Sequence, residues 1–97
     1  MSGSLTEEEV RDALDAPDLH GWHNEDGKIV RHYRFPTFME AIAFINRLAE
    51  KAEEANHHPH LFNHFHQVQV ALHTLSEGVT HKDLALAREI ESVALLD

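Results

Sequence analysis

The chain contains no cysteine among its 97 residues, so it forms neither a disulfide nor a thiolate metal site. It has no apolar run of membrane-spanning length. Basic residues are also scarce, since 8 Lys and Arg stand against 17 Asp and Glu, giving a formal net charge of −9. Because that charge repels phosphate backbones, we expect no direct nucleic-acid binding. A cysteine-free chain of this kind suits the reducing cytoplasm, where we expect it to reside.

The length predicts one domain that covers residues 1–97. With 42% hydrophobic residues the chain can bury a core, although a small one. Small domains of this kind often gain stability by assembling. We therefore expect a homo-oligomer.

Three helices are predicted from capping patterns and apolar periodicity. Thr6 and Thr37 each precede a glutamate by three residues, and Thr80 precedes Asp83 by the same spacing. The first helix ends before Pro17, the second covers about 37–56, and the third begins at Thr80. In the second helix, an apolar stripe predicts the buried face: Phe38, Ile42, Ile45, Ala49 and Ala52, widened by Phe44 and Leu48.

Four strands are predicted between these helices. Asp26-Gly27 is a strong hairpin turn signal inside residues 22–35. Alternation predicts a half-buried strand around 68–72, and residues 58–64 are a plausible partner. The order α-β-β-α-β-β-α predicts an α+β fold, a four-stranded antiparallel sheet with three helices packed on one face. Trp22 and Phe38 are interpreted as core aromatics.

Residues 56–60 read Asn-His-His-Pro-His, at the predicted junction between a helix and a strand. Pro59 fixes its own φ and drives His58 out of the helical region, so two imidazoles are held on stiff backbone. Adjacent imidazoles can exchange protons with a small ligand, or they can bind zinc, nickel or copper. No carboxylate stands at a familiar metal-motif spacing, so a native metal site is the less favoured interpretation.

The other histidines are interpreted more simply. Most histidines are half-exposed surface residues, and we assign five to that class: His20, His23, His32, His60 and His81. His64 and His66 receive the same interpretation. Asp83 lies where a carboxylate caps a helix, and Glu53 lies on a helix face where it could orient a histidine.

Several blocks of the sequence resemble the pterin-4a-carbinolamine dehydratases, also called 4a-hydroxytetrahydrobiopterin dehydratases. They run in order from about residue 21 to 94: Gly21-Trp22, Phe35-x-x-Phe38-x-x-Ala41-x-x-Phe44, Ala52-Glu53-x-x-Asn56-His57-His58-Pro59, Phe65-x-x-Val68-x-Val70-x-Leu72-x-Thr74 and Gly78-Val79-Thr80-x-x-Asp83-x-x-Leu86-Ala87. The α-β-β-α-β-β-α order is also that of the family.

The resemblance implies a hydro-lyase that removes water from a 4a-hydroxytetrahydropterin to give the quinonoid dihydropterin. Such a reaction serves tetrahydrobiopterin recycling, with the pterin as substrate and with no metal or organic cofactor. His57 and His58 match the family's active-site pair. Supporting or substrate-binding parts are implied for five residues: Glu53, Asn56, Pro59, Thr74 and Asp83. Similar proteins are usually homodimers or homotetramers.

One departure from the family pattern concerns the residue after Thr74. The family usually has a histidine there, which completes its catalytic set, whereas this chain has Leu75. His73 lies two residues before Leu75, roughly 6.5 Å back along an extended strand. Either His73 replaces the missing group, or the activity is weakened or lost. The alternative function is therefore a dehydratase-like binding or assembly protein, comparable to the family's RuBisCO assembly factors.

Overall fold

The computed structural model describes residues 4–94. Its elements follow the predicted order: α1 (Glu7–Leu14), β1 (His23–Glu25), β2 (Lys28–Arg34), α2 (Phe38–Ala55), β3 (His60–His64), β4 (Gln67–Leu72) and α3 (His81–Ala94). A single 3₁₀ turn, Pro17–Leu19, connects α1 to the first strand. The α+β prediction is confirmed, and the bounds differ from the predicted ones by one or two residues at most helix ends.

Each helix begins where its threonine satisfies the first backbone donors. In α1 the Glu9 N–H donates to Thr6 Oγ1 at 3.1 Å, and the Thr6 N–H donates back to Glu9 Oε1 at 2.8 Å. In α2 the Glu40 N–H donates to Thr37 Oγ1 at 3.1 Å. These caps replace hydrogen bonds that the first helical turn cannot make internally.

The four strands form one antiparallel sheet in the order β1-β2-β4-β3. Asp26 and Gly27 have φ values of 51° and 78°, the left-handed conformations that a tight two-residue hairpin turn needs. The long pairing joins β2 to β4, with Tyr33 opposite Val68 and Ile29 opposite Leu72. The central position of these two strands leaves β3 at an edge.

The core lies between one face of the sheet and the helices. Ile29, Tyr33, Val70 and Leu72 are buried in one cluster with Phe44 of α2 and with residues of α1 and α3. Trp22 is also buried, as predicted. Among residues 4–94, no helix combines the length and the apolar character that crossing a membrane requires.

The predicted buried face of α2 is confirmed for Phe44, Leu48 and Ala52 and is wrong for Phe38 and Ala49. The buried residues are Ala41, Phe44, Leu48 and Ala52, whereas Phe38 is 42% exposed and Ala49 is exposed. Two apolar stripes overlap on this helix, and helical spacing alone favours neither. Packing against β4 and α3 decides between them, and it selects the stripe that contains Phe44 and Leu48.

Candidate active site

Helix α2 ends in a turn that delivers the two adjacent histidines. Asn56 adopts the left-handed conformation, with φ 51° and ψ 43°. The His57 N–H then donates to the Ala52 carbonyl at 3.0 Å, and the Asn56 N–H donates to the Glu53 carbonyl at 3.1 Å. Asparagine is one of the few residues that adopt this conformation readily, so it ends the helix here as glycine often does. The chain continues through Pro59 into β3.

His57 is held by a buried carboxylate. Its Nε2 lies 2.5 Å from Oδ1 of Asp83, whose side chain is fully buried, and the His57 side chain itself is only 12% exposed. A carboxylate only accepts hydrogen bonds, so Nε2 of His57 carries the shared proton. This leaves Nδ1 as the ring nitrogen that can exchange a proton with a ligand.

The other carboxylate oxygen of Asp83 accepts two further hydrogen bonds. The Thr74 hydroxyl and the Thr80 N–H both donate to Oδ2, each at 2.9 Å. The Thr74 and Thr80 hydroxyls lie 2.8 Å apart, and the Lys82 N–H donates to Thr80 at 3.2 Å. Because Thr74 gives its proton to Asp83, Thr80 must give its own to Thr74. Asp83 thus caps α3 and orients His57 with the same carboxylate.

His58 makes a more exposed pair with the last turn of α2. Its Nε2 lies 2.6 Å from Oε1 of Glu53, and the two side chains are 59% and 77% exposed. An exposed pair of this kind adds little to stability. Its effect is on orientation, since it fixes the face of the imidazole and again leaves Nδ1 uncommitted.

His73 pairs with another histidine. Its Nε2 lies 3.1 Å from Nε2 of His60, and the ring centroids are 5.0 Å apart. In the sheet register His60 is opposite Ala71, so His73 is its diagonal neighbour two residues further along the chain. Diagonal neighbours on one sheet face are within reach of long or aromatic side chains.

These side chains meet in one groove of about 280 Å³. Its lining consists of six residues: Asn56, His57, His58, His60, His73 and Leu75. Leu75 is 82% exposed, so an apolar side chain occupies the position where the family pattern has a histidine. Within residues 4–94, no group of three or more His, Asp or Glu side chains is arranged to hold a metal ion.

The structure places the predicted site residues in two layers. His57, His58, His73 and Asn56 line the groove, while Glu53 and Asp83 stand behind the histidines that they hold. The other two do not line the groove: Thr74 is buried and hydrogen-bonded to Asp83, and Pro59 is half-buried beside His58.

Sequence reasoning missed two participants. His60 is exposed, as assigned, but it also contacts His73. Thr80 was treated only as the start of a helix, yet it also completes the hydrogen bonds of Asp83. The register of β3 against β4 could have identified His60, but the weak pattern of residues 58–64 does not fix that register.

Comparison with known proteins identifies the family of the chain. The family model described as pterin 4 alpha carbinolamine dehydratase matches residues 3–93. The chain belongs to the pterin-4-alpha-carbinolamine dehydratase family. Members named "Putative pterin-4-alpha-carbinolamine dehydratase" include a protein of Mycobacterium sp. (strain KMS), 42% identical over 90 residues, which are 92% of this chain and 94% of that one. One of Thermomicrobium roseum is 42% identical over 78 residues, 79% of this chain and 84% of that one.

Two solved structures share the dehydratase fold. A transcriptional coactivator/pterin dehydratase from Brucella melitensis superposes with a TM-score of 0.86 at 40% identity, covering 94% of this chain and 98% of its own. A pterin dehydratase-like protein, a RuBisCO assembly factor in the alpha-carboxysome, superposes with a TM-score of 0.67 at 21% identity. That second likeness covers 79% of this chain and 93% of the other, and at this identity it concerns the fold alone.

Proposed function

We propose that this family member dehydrates a 4a-hydroxytetrahydropterin to the quinonoid dihydropterin by histidine acid–base catalysis. In the reaction the C4a–O bond breaks and the hydroxyl leaves as water after taking up one proton. N5 loses one proton, and a C4a=N5 double bond forms. The protein must therefore supply one proton and accept another, with no redox change and no cofactor.

The observation that carries this proposal is the grouping of oriented imidazoles in one groove. Asp83 fixes His57, and Glu53 fixes His58, with Nδ1 left for proton exchange on each ring. His73 lines the same groove. We assign the acid and base parts to these three histidines, since imidazole exchanges protons near neutral pH. Asn56 is the neutral polar residue of the lining and is proposed to contact the pterin.

The test is the decay of the 4a-carbinolamine, followed by its absorbance after release from a pterin-dependent hydroxylase. The protein should accelerate this decay over the uncatalysed rate. His58→Ala should lower the rate by about 10²-fold or more, the usual contribution of a positioned acid or base. His64→Ala is the control, because His64 is an exposed histidine outside the groove. A wild-type rate equal to background would refute the proposal.

A second candidate function rests on Leu75. An exposed leucine in the groove cannot exchange protons, so the family's third histidine is not replaced at that position. A dehydratase-like binding or assembly protein would retain the fold without turnover, and a RuBisCO assembly factor shares this fold. Pterin binding measured by fluorescence, together with a background decay rate, would favour this candidate over the enzyme.

We also propose that the protein forms a homodimer or homotetramer in the cytoplasm. Large apolar side chains are exposed on the monomer, among them Leu61, Phe62 and Phe65 at the edge strand β3 and the turn after it, and Phe38 on α2. Exposed patches of this kind mark association surfaces. Light scattering after size exclusion tests the assembly, and a monomer at micromolar concentration would contradict it.

A further inference from the structure

The two histidine pairs of the groove differ in their partners. His57 and His58 are each held by a carboxylate, whereas within residues 4–94 His73 forms its side-chain hydrogen bond with His60 alone. His60 belongs to the strand beside that of His73 and shares its sheet face. Both imidazoles line the groove together with Leu75.

We propose that His60 is a positioning residue for His73, and that the His60–His73 pair supplies the proton-transfer group that Leu75 cannot. The inference rests on the proposed dehydration and adds a residue to it. His73 is the member that meets the substrate. His60 acts through His73, by fixing its ring and by returning a proton to it.

The geometry of the pair constrains where its protons lie. Two imidazole nitrogens 3.1 Å apart form a hydrogen bond only when one of them carries a proton and the other does not. In the neutral pair one ring is therefore protonated at Nε2 and the other at Nδ1. A single added proton leaves this hydrogen bond in place, whereas a second would set two like charges side by side.

The proposed step balances in atoms and charge. The singly protonated pair gives a proton through His73 to the 4a-hydroxyl oxygen as the C4a–O bond breaks and water leaves. The N5 proton passes to the imidazole of His58 or His57. His60 then transfers its proton to His73 and regains one from solvent, while the base releases the N5 proton to solvent.

Few other groups near the His60–His73 pair could donate the proton to the 4a-hydroxyl. His57 and His58 line the same groove and are hydrogen-bonded to their carboxylates, Asp83 and Glu53. On the sheet, His60 is opposite the small apolar Ala71, and Leu75 is uncharged. No Lys or Arg lines this groove.

The kinetic test compares His60→Ala with His64→Ala. Both are exposed histidines on the same face of β3, but only His60 lines the groove. We expect His60→Ala to lower kcat about tenfold with KM within about twofold, since it disturbs a proton donor without removing it. It should also alter the pH profile of kcat. His60→Gln, whose amide N–H can donate to His73, should restore more than half of kcat.

A double substitution separates positioning from an independent contribution. His73→Ala should lower kcat about 10²-fold, and adding His60→Ala should lower it no further, because both remove the same group. An unchanged kcat in His60→Ala, a loss equal to that in His64→Ala, or additive losses in the double variant would each overturn the proposal.

Ring-nitrogen NMR distinguishes this inference from the proposed function. In wild-type protein a hydrogen-bond coupling should join the Nε2 atoms of His60 and His73, and His60→Ala should change the His73 ring shifts while His64→Ala leaves them unchanged. Unchanged His73 shifts in His60→Ala would overturn the positioning. If the wild-type protein does not accelerate carbinolamine decay, the dehydration fails, and the catalytic part of this inference fails with it even where the NMR coupling is found.

Discussion

Asp83 offers the sharpest test, because one buried carboxylate serves both the fold and the groove. Asp83→Ala leaves the Thr74 hydroxyl and the Thr80 N–H without their acceptor in a buried environment. Each unsatisfied buried donor costs about 1–3 kcal/mol, so the free energy of unfolding should fall by about 2–6 kcal/mol. That is a large part of the 5–15 kcal/mol typical of a domain, about the whole of it at the lower limit.

Asp83→Asn separates the two parts. The amide oxygen can take the place of Oδ2 and accept from Thr74 and Thr80, so the free energy of unfolding should fall by only about 1 kcal/mol. The amide N–H₂ then faces His57 and can only donate. Nε2 of His57 must lose its proton to accept that bond, and the proton moves to Nδ1. We expect dehydration to slow by about 10²-fold or more.

Urea unfolding and carbinolamine decay, measured on both variants, check this reasoning. Asp83→Asn should remain folded and lose most of its activity, whereas Asp83→Ala should lose both stability and activity. If Asp83→Asn retained more than half of the wild-type rate, the orientation of His57 by Asp83 would not matter for the chemistry. If it were as unstable as Asp83→Ala, the hydrogen-bond assignment at Oδ2 would be wrong.

Three further predictions concern other parts of the chain. Burial, reinforced by the negative charge of Glu91, raises the pKa of Tyr33. The contribution of this neutral hydroxyl to stability is therefore complete below about pH 10, the ordinary pKa of tyrosine, and is lost as the pH rises further. Tyrosinate absorbance of this single tyrosine should appear only when circular dichroism reports unfolding. Asn56→Gly should be neutral in urea unfolding, whereas Asn56→Ala should cost about 1 kcal/mol at the left-handed helix end. Leu75→His should raise kcat and make His60→Ala less harmful, and a fall in kcat would contradict the part assigned to Leu75.

The fold could be predicted because its signals are local. Thr6, Thr37 and Thr80 mark the starts of the helices. Asp26-Gly27 predicts the first hairpin, because its turn needs backbone conformations that few residues adopt. The buried face of α2 could be predicted only in part, since Phe38 and Ala49 were also assigned to it. Its two apolar stripes both have helical spacing. Which of them is buried depends on contacts with β4 and α3, and a local sequence pattern does not show those contacts.

The same distinction between local signals and contacts of distant elements applies to the site. The placement of His57 and His58 together in one groove could be predicted, because Asn56 and Pro59 beside them fix the backbone and because the block matches a known family. The contact between His60 and His73 depends on the register of two strands, one of which is exposed throughout and carries no alternation of burial. Sequence reasoning therefore identified His73 as a candidate while it assigned its partner to the surface.

Two parts of the groove, the His57–Asp83 pair and the His60–His73 pair, differ in how much a substitution there destabilises the fold. Substitution at Asp83 carries a stability cost, because its carboxylate also caps α3 and satisfies Thr74. The His60 and His73 side chains are exposed and half-buried, and strand register brings them together. Substituting them should therefore have little effect on folding. The proposed shift of a catalytic group from position 75 to the strand pair would therefore leave the fold intact. The part of the groove that holds His57 does not have that freedom, so under this proposal a changed third group goes together with a retained His57–Asp83 pair.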